Sequence, residues 1–252
     1  MADKQGYIGV FDSGVGGISV LRELVKIMPQ EKYLYFGDCA NAPYGTRSTA
    51  QVRQLTMAAA EILMDRDIKA LVVACNTATA AAIHDLRQRY PDRIIVGIEP
   101  ALKVAADHFP AGRVGVMATP VTLREEKFNQ LSQRFGDMQV SLIPVPGLVE
   151  LIEKGSSQEE LETFLRPVLE SYVNKLDAVV LGCTHYPFAS EAISGILGGQ
   201  VALLDGGRGT ALQTRRRLEE EGLLWDGPGS VQIENSACDP DFQVHAMALL
   251  DK

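Results

Sequence analysis

The chain is 252 residues long and 46% hydrophobic, enough to bury a sizeable core as one large domain or as two compact lobes. Its 24 basic and 32 acidic residues leave a formal charge of −8 and a sequence pI near 5.1, which repels a phosphate backbone and argues against nucleic acid as a partner. No apolar run approaches the ~18 residues of a membrane span, and MADKQGYIGVFDSG lacks the basic region, apolar stretch and cleavage site of an export signal, so a cytoplasmic protein with reduced thiols is expected.

Short β-branched and apolar runs alternate with longer segments of helical periodicity, the signature of βα units around a mainly parallel sheet. The first candidate strand, Tyr7 to Phe11, ends in DSGVGG, Asp12 to Gly17. A GxGxxG dinucleotide fingerprint starting at Gly14 would need glycine where Ser19 stands, and no GxxxxGK followed by Ser or Thr is present. The glycines instead let the backbone turn tightly, so that amides and the next helix's N-terminus face a small anion such as a carboxylate. A second strand, Tyr33 to Phe36, leads into GDCANAPYG. Arg53 to Asp65 reads as a helix with Leu55, Ala59, Ile62 and Leu63 on one face, and strands Ala70 to Ala74 and Ile94 to Ile98 follow.

The pattern then starts again. IGVFDS from Ile8 matches VGVMAT from Val114 at an offset of 114 − 8 = 106, and ALVVAC from Ala70 matches AVVLGC from Ala178 at 178 − 70 = 108. IVGIE, ending at Glu99, matches VALLD, ending at Asp205, at 205 − 99 = 106. Three matches in one order at nearly constant offset imply a duplication. The expected fold is therefore α/β, with two pseudo-symmetric lobes, each a mainly parallel sheet flanked by helices, and an active site in the cleft between them. The first lobe covers 1–98 and the second 99–206. The tail, 207–252, with helices at Gly209 to Glu221 and Asp239 to Leu250 flanking VQIEN, is too small to stand alone and is expected to complete the first lobe. Within it Arg215, Arg216 and Arg217 are each followed four residues on by Glu219, Glu220 and Glu221, which reads as salt-bridged surface pairs.

The cysteines, Cys39, Cys75, Cys183 and Cys238, include no CxxC pair, so no metal site or redox dithiol is expected. In an open parallel sheet the loops at the carboxyl ends of the strands line the ligand crevice. Asp12 and Ser13, Cys75 to Thr77, Thr119, and Cys183 to His185 all fall at such ends. Taken singly, a cysteine after a buried strand is a small hydrophobe; the matched placement of Cys75 and Cys183 reverses that reading. Two proton-transfer groups on opposite faces of one carbon are what stereochemical inversion needs. A thiol's reference pKa of about 8.5 is readily lowered by a cation or a helix N-terminus, so both of its states are accessible near neutral pH. Cys238 is assigned a structural role and Cys39 that of a bystander lining the site, while His185 joins the electrostatic setting of Cys183. A cysteine hydrolase with Cys183 as nucleophile would need a GxCxG elbow and leaves Cys75 idle. A noncatalytic two-lobed clamp leaves the matched cysteines unexplained.

FDSGVGGISVL, GDCANAPYGTRS, ACNTATA, MATPVTL and LGCTHYPF resemble the motifs of the glutamate racemases in order and interval, and the resemblance covers almost the whole chain. It implies interconversion of L-glutamate and D-glutamate with no cofactor, supplying D-glutamate for bacterial peptidoglycan; a racemase of aspartate is the nearest alternative. It implies Cys75 and Cys183 as the two proton donor/acceptors, with Asp12 assisting Cys75, and His185 with Glu153 assisting Cys183. It places Asp12, Ser13, Tyr44, Gly45, Asn76, Thr77, Thr119, Thr122, Thr184 and His185 around the substrate. By the same analogy Cys183 acts on the L enantiomer and Cys75 on the D enantiomer. Glutamate is thus the implied partner, with no membrane or nucleic acid, and a homodimer is left open. Cys39 stands where the family commonly has threonine.

Overall fold

The structure, a computed structural model, describes residues 3–98, 101–119 and 137–251. Strand β1 (Tyr7–Asp12) organises the first unit, which comprises Met1–Glu99 and Gly207–Lys252. From Ile8 onward every residue of β1 is buried, because the strand is paired on both edges and covered on both faces. A strand in that position reads as an unbroken apolar run. Beside it lie β2 (Lys32–Gly37) on one edge, and β3 (Ile68–Val73) followed by β4 (Ile94–Gly97) on the other, all parallel. The far edge of β2 is taken by β9 (Ser230–Asn235), also parallel.

Alternation along the strands sends Phe11, Leu34, Phe36, Leu71 and Val73 to one face. There they pack with Val52, Ala59 and Leu63 of α2 (Thr49–Met64) and with Ala78 and Leu86 of α3 (Asn76–Arg89). Helix α2 starts at a capping box, in which Ser48 Oγ accepts from the Gln51 amide at 3.3 Å and Gln51 Oε1 accepts from the Ser48 amide at 3.0 Å. Its buried stripe runs through Val52, Thr56, Ala59, Ala60 and Leu63. Ile62, expected on that face, is instead 47% exposed: it lies one residue step, about 100°, around the helix from Leu63, beyond the edge of the stripe. On the opposite face the Tyr33 hydroxyl lies 2.9 Å from Leu24 O and 2.8 Å from Met28 O, one donor shared by two carbonyls of α1 (Ile18–Ile27) and the residue just after it. Helix α1 packs in turn on α8 (Gly207–Glu220) and α9 (Pro240–Leu250).

The second unit, Pro100–Gly206, repeats the plan. Strand β5 (Arg113–Ala118) is central, with β6 (Gln139–Pro144) on one edge and β7 (Ala178–Leu181) then β8 (Ala202–Asp205) on the other, all parallel. The order β6-β5-β7-β8 matches β2-β1-β3-β4, and the register matches too: Ile8 pairs with Ala70 as Val114 pairs with Ala178. Register also corrects one of the sequence matches. Gly97 sits opposite Val73 as Asp205 sits opposite Leu181, so the counterpart of Asp205 is Gly97 (205 − 97 = 108) and not Glu99, which lies outside the described residues. One face of this sheet is covered by α5 (Leu148–Glu153), α6 (Gln158–Leu169) and α7 (Ser190–Leu197) through Leu148, Leu161, Leu165 and Ile193. Val114, Val116 and Val180 pack on α4 (Leu102–His108).

Two further expectations are corrected in the tail. Arg215 pairs with Glu219 and Arg216 with Glu220, but Arg217 Nε pairs at 3.2 Å with Glu220, the last residue of α8, and not with Glu221 just beyond it. Cys238, read as structural, is an exposed turn residue with φ 54 between β9 and α9.

At the amino ends of the strands a buried ion pair fastens the tail to the first unit. Lys69 Nζ lies 2.6 Å from Glu31 Oε2 and donates to the carbonyls of Lys4 at 2.8 Å and Leu223 at 2.9 Å, so all three of its protons are placed. Glu31 Oε1 accepts from the Trp225 amide at 2.9 Å. Removing one partner of such a pair strands an uncompensated charge. Lys69→Met is therefore expected to cost about 3–5 kcal/mol in urea unfolding followed by the fluorescence of Trp225, the single tryptophan; a cost under about 1 kcal/mol would contradict a fully desolvated pair.

Candidate active site

The residues with reactive side chains gather where the parallel strands end. Backbone hydrogen bonds continue past each ladder by one residue: the Ala74 amide donates to Phe11 O at 2.8 Å, and the Gly182 amide donates to Met117 O at 2.7 Å. The next residue in each case is a buried cysteine, Cys75 or Cys183.

In the first unit Asp12 closes β1 with its side chain fully buried, and its Oδ1 accepts from the Gly14 amide at 3.0 Å. The expected tight turn is present at Gly16 and Gly17, with the Ile18 amide donating to Val15 O at 3.1 Å, and none of Gly14, Gly16 and Gly17 needs a positive φ to make it. At Gly17, which caps α1 with φ −63, the requirement is space. A Cβ there would lie 2.5 Å from Asp12 Cβ and 2.9 Å from the Tyr35 hydroxyl. Cys75 is the N-cap of the 14-residue helix α3: its Sγ accepts from the Ala78 amide at 3.4 Å and lies 3.7 Å from Ser13 Oγ. The partial positive charge of a helix N-terminus thus faces the sulfur. Asn76 and Thr77 form the buried first turn of α3, and Asn76 Oδ1 has no hydrogen-bond partner among the described residues.

Tyr44 and Gly45 lie in the single turn Tyr44–Thr46 after β2, Tyr44 buried and Gly45 half-buried. The Tyr44 hydroxyl donates to Asp38 Oδ2 at 2.6 Å, and Asn41 Nδ2 donates to both oxygens of the same carboxylate at 3.0 and 3.1 Å. Burial first, then the bond to Asp38 and the negative charges of Asp38, Cys75 and Asp12, push the phenol well above its ordinary range, so Tyr44 stays a neutral donor. The sequence reading does not single out Asp38. The available signal is its place directly after a strand-ending glycine, the kind of position that drew attention to Asp12. Cys39 lies in the turn Cys39–Asn41, half-buried beside Gly37.

In the second unit Thr119 follows β5, and Cys183, Thr184 and His185 follow β7, all buried. Thr122 lies outside the described residues. His185 Nδ1 is 3.7 Å from Cys183 Sγ, and Nε2 is 2.6 Å from Oε1 of Glu153, the last residue of α5. Burial alone would lower the basicity of this imidazole. The hydrogen bonds to Cys183 and Glu153 and their negative charge outweigh it, holding the ring well above the ordinary histidine value. The protonated form of the ring is thereby favoured beside the sulfur. A four-residue turn, Tyr186–Ala189, stands between this thiol and α7, so Cys183 has an imidazole beside it where Cys75 caps a helix directly. Each unit thus presents one thiol in a polar setting suited to giving or taking a proton. Among the described residues no group of three His, Cys, Asp or Glu could share a metal ion, and no helix is long and apolar enough to cross a membrane.

A model of the family described as Asp/Glu/Hydantoin racemase matches residues 8–214. A glutamate racemase of Clostridium novyi is 50% identical over 234 residues, covering 91% of this chain and 90% of its own. Among solved structures, glutamate racemase from Thermus thermophilus in complex with beta-chloro-D-alanine is similar with a TM-score of 0.84 at 38% identity, over 98% of this chain and 94% of its own. Glutamate racemase from Francisella tularensis in complex with D-glutamate is similar with a TM-score of 0.85 at 29% identity, over 99% and 95%.

A histidine whose basicity is raised by folding contributes stability that is complete below the unfolded value, about 6.5, and is lost as pH rises through the folded value. The ring resonances of His185, assigned by comparison with His185→Asn, are expected to titrate well above pH 6.5. The stability gap between the two proteins should be widest near pH 6 and narrow in alkali. A midpoint at or below 6.5 would contradict the charged pairing with Glu153.

Proposed function

The chain belongs to the Asp/Glu/Hydantoin racemase family, and from that premise we propose that it interconverts L-glutamate and D-glutamate without a cofactor, Cys75 and Cys183 serving as the two proton donor/acceptors. One observation carries the reading: the duplicated register brings a buried cysteine to the same strand-end position in each unit (183 − 75 = 178 − 70 = 108). The comparisons favour glutamate as the substrate, since the relatives described above, 29–50% identical over nearly the full chain, are glutamate racemases and one of them holds D-glutamate.

In each turnover one sulfur, as thiolate, takes the α-proton. The carbon is left with an electron pair delocalised into its carboxylate, and the other sulfur, as thiol, returns a proton to the opposite face. The two sulfurs end with their protonation states exchanged, so a proton must pass between them through solvent or side chains before the same direction can run again. Asp12 assists Cys75. His185, held by Glu153, assists Cys183. The unpartnered Asn76 Oδ1 is an acceptor available to the substrate ammonium. Ser13, Tyr44, Gly45, Thr77, Thr119, Thr122 and Thr184 complete the substrate's surroundings. The four free cysteines suit the reducing cytoplasm, where the product D-glutamate would enter peptidoglycan synthesis.

In deuterated water either glutamate enantiomer is expected to gain deuterium at the α-carbon as it racemises, with no added pyridoxal phosphate. Cys75→Ala and Cys183→Ala should each lower racemisation by at least ~10²-fold, the scale of general acid–base catalysis. Wild-type rates in either variant would rule out the two-thiol mechanism. Faster turnover of aspartate than of glutamate would move the assignment to the related racemase.

A further inference from the structure

We propose that Tyr35 is a positioning residue for the Cys75 half of the reaction, acting through the loop from Asp12 to Gly17; the inference rests on the reading of Cys75 as a proton donor/acceptor. Tyr33 and Tyr35 project from the same face of β2, and both are buried. Tyr33 spends its hydroxyl on helix α1, a packing role. Tyr35 instead donates to Gly14 O at 2.6 Å, in the middle of the loop that carries Asp12 and Ser13.

Gly14 is therefore held from both ends. Its amide donates to Asp12 Oδ1 at 3.0 Å and its carbonyl accepts from Tyr35. The same hydroxyl stands 2.9 Å from the place where a Cβ of Gly17 would lie, and Asp12 Cβ stands 2.5 Å from it, so hydroxyl and carboxylate-bearing residue both close in on the helix start. Ser13, between Asp12 and Gly14, brings its Oγ to 3.7 Å from Cys75 Sγ. A shift of Gly14 moves Ser13 and the Asp12 carboxylate together relative to the sulfur. A phenylalanine at position 35 would fill the same volume, so the hydroxyl is the part that fixes the loop. Misplacement of a reacting group by a fraction of an ångström to an ångström costs on the order of 10- to 100-fold in rate.

The test is Tyr35→Phe assayed with unlabelled and α-deuterated glutamate of each hand. Racemisation has an equilibrium constant of one, so kcat/KM must fall equally in both directions, by roughly 10- to 100-fold. The isotope effect distinguishes the roles. If the Cys75 step is selectively slowed, the effect rises in the direction in which Cys75 removes the proton and falls toward unity in the other, where removal by Cys183 becomes a pre-equilibrium. Cys75→Ser identifies which direction that is. Gly17→Ala, which forces a methyl against the same hydroxyl and Asp12, is the second variant and carries the same expected split. Wild-type kcat/KM in folded Tyr35→Phe, or a loss in both folded variants with isotope effects unchanged in both directions, would overturn the proposal. Full activity of Cys75→Ser would instead overturn the reading of Cys75 beneath it.

Discussion

A single backbone hydrogen bond, made once in each unit, decides where the thiols sit. Ala74 is tied to Phe11 and Gly182 to Met117, each one residue past the last pairing of β3 or β7 with the central strand. The next residue lies past the paired strand, one Cα from a fixed position. That is where a cysteine serves an acid–base role best, since its side chain leaves the sheet while its backbone is held. Gly182 shows how tight the arrangement is, because a Cβ there would lie 2.9 Å from Ala118 Cβ and 3.0 Å from Met117 O. A parallel ladder also sends every carboxyl end to one edge of its sheet, so the residues after β1, β2 and β3 share that edge in the first unit, as those after β5 and β7 do in the second.

The duplication preserves this backbone arrangement and abandons its electrostatics. Cys75 opens a 14-residue helix and receives an amide hydrogen, whereas Cys183 leads into a short turn and is served by an imidazole anchored on Glu153. A helix end offers a partial charge that no ordinary pH removes. A histidine offers a full charge that can be titrated away and a proton that can be handed on. The two thiols are equivalent in position within their units and different in the polar group that stands beside each.

Much of this was legible in the sequence because strand ends carry the period of the duplication. ALVVAC and AVVLGC align at an offset that the hydrogen-bond register repeats. Apolar strand interiors carry far less register information, which is why IVGIE and VALLD aligned two residues away from their structural match. The roles of Tyr35 and Asp38 were not legible. Tyr35 reaches Gly14 across 21 residues of chain, and nothing about a tyrosine in an apolar strand says where its hydroxyl will point. The glycines of DSGVGG drew attention for a conformational freedom they do not use; Gly17 is needed because no methyl fits between Asp12 and Tyr35. Ile62 misled for a simpler reason, being apolar at the border of a helical stripe.

The pairing of β9 with β2 bears on how the chain is made. The outer edge of β2 ends at Gly37, and the strand that covers it begins at Ser230, so 229 − 37 = 192 residues must be synthesised in between. At roughly 5–20 residues per second that is on the order of 10–40 s, during which the nascent first sheet carries an uncovered hydrophobic strand edge of the kind that recruits foreign strands. Every residue of Pro100–Gly206, by contrast, has been made before β9 appears. The middle of this protein is therefore complete before its beginning, and the edge of β2 is covered only when the last 23 residues (252 − 229) are made.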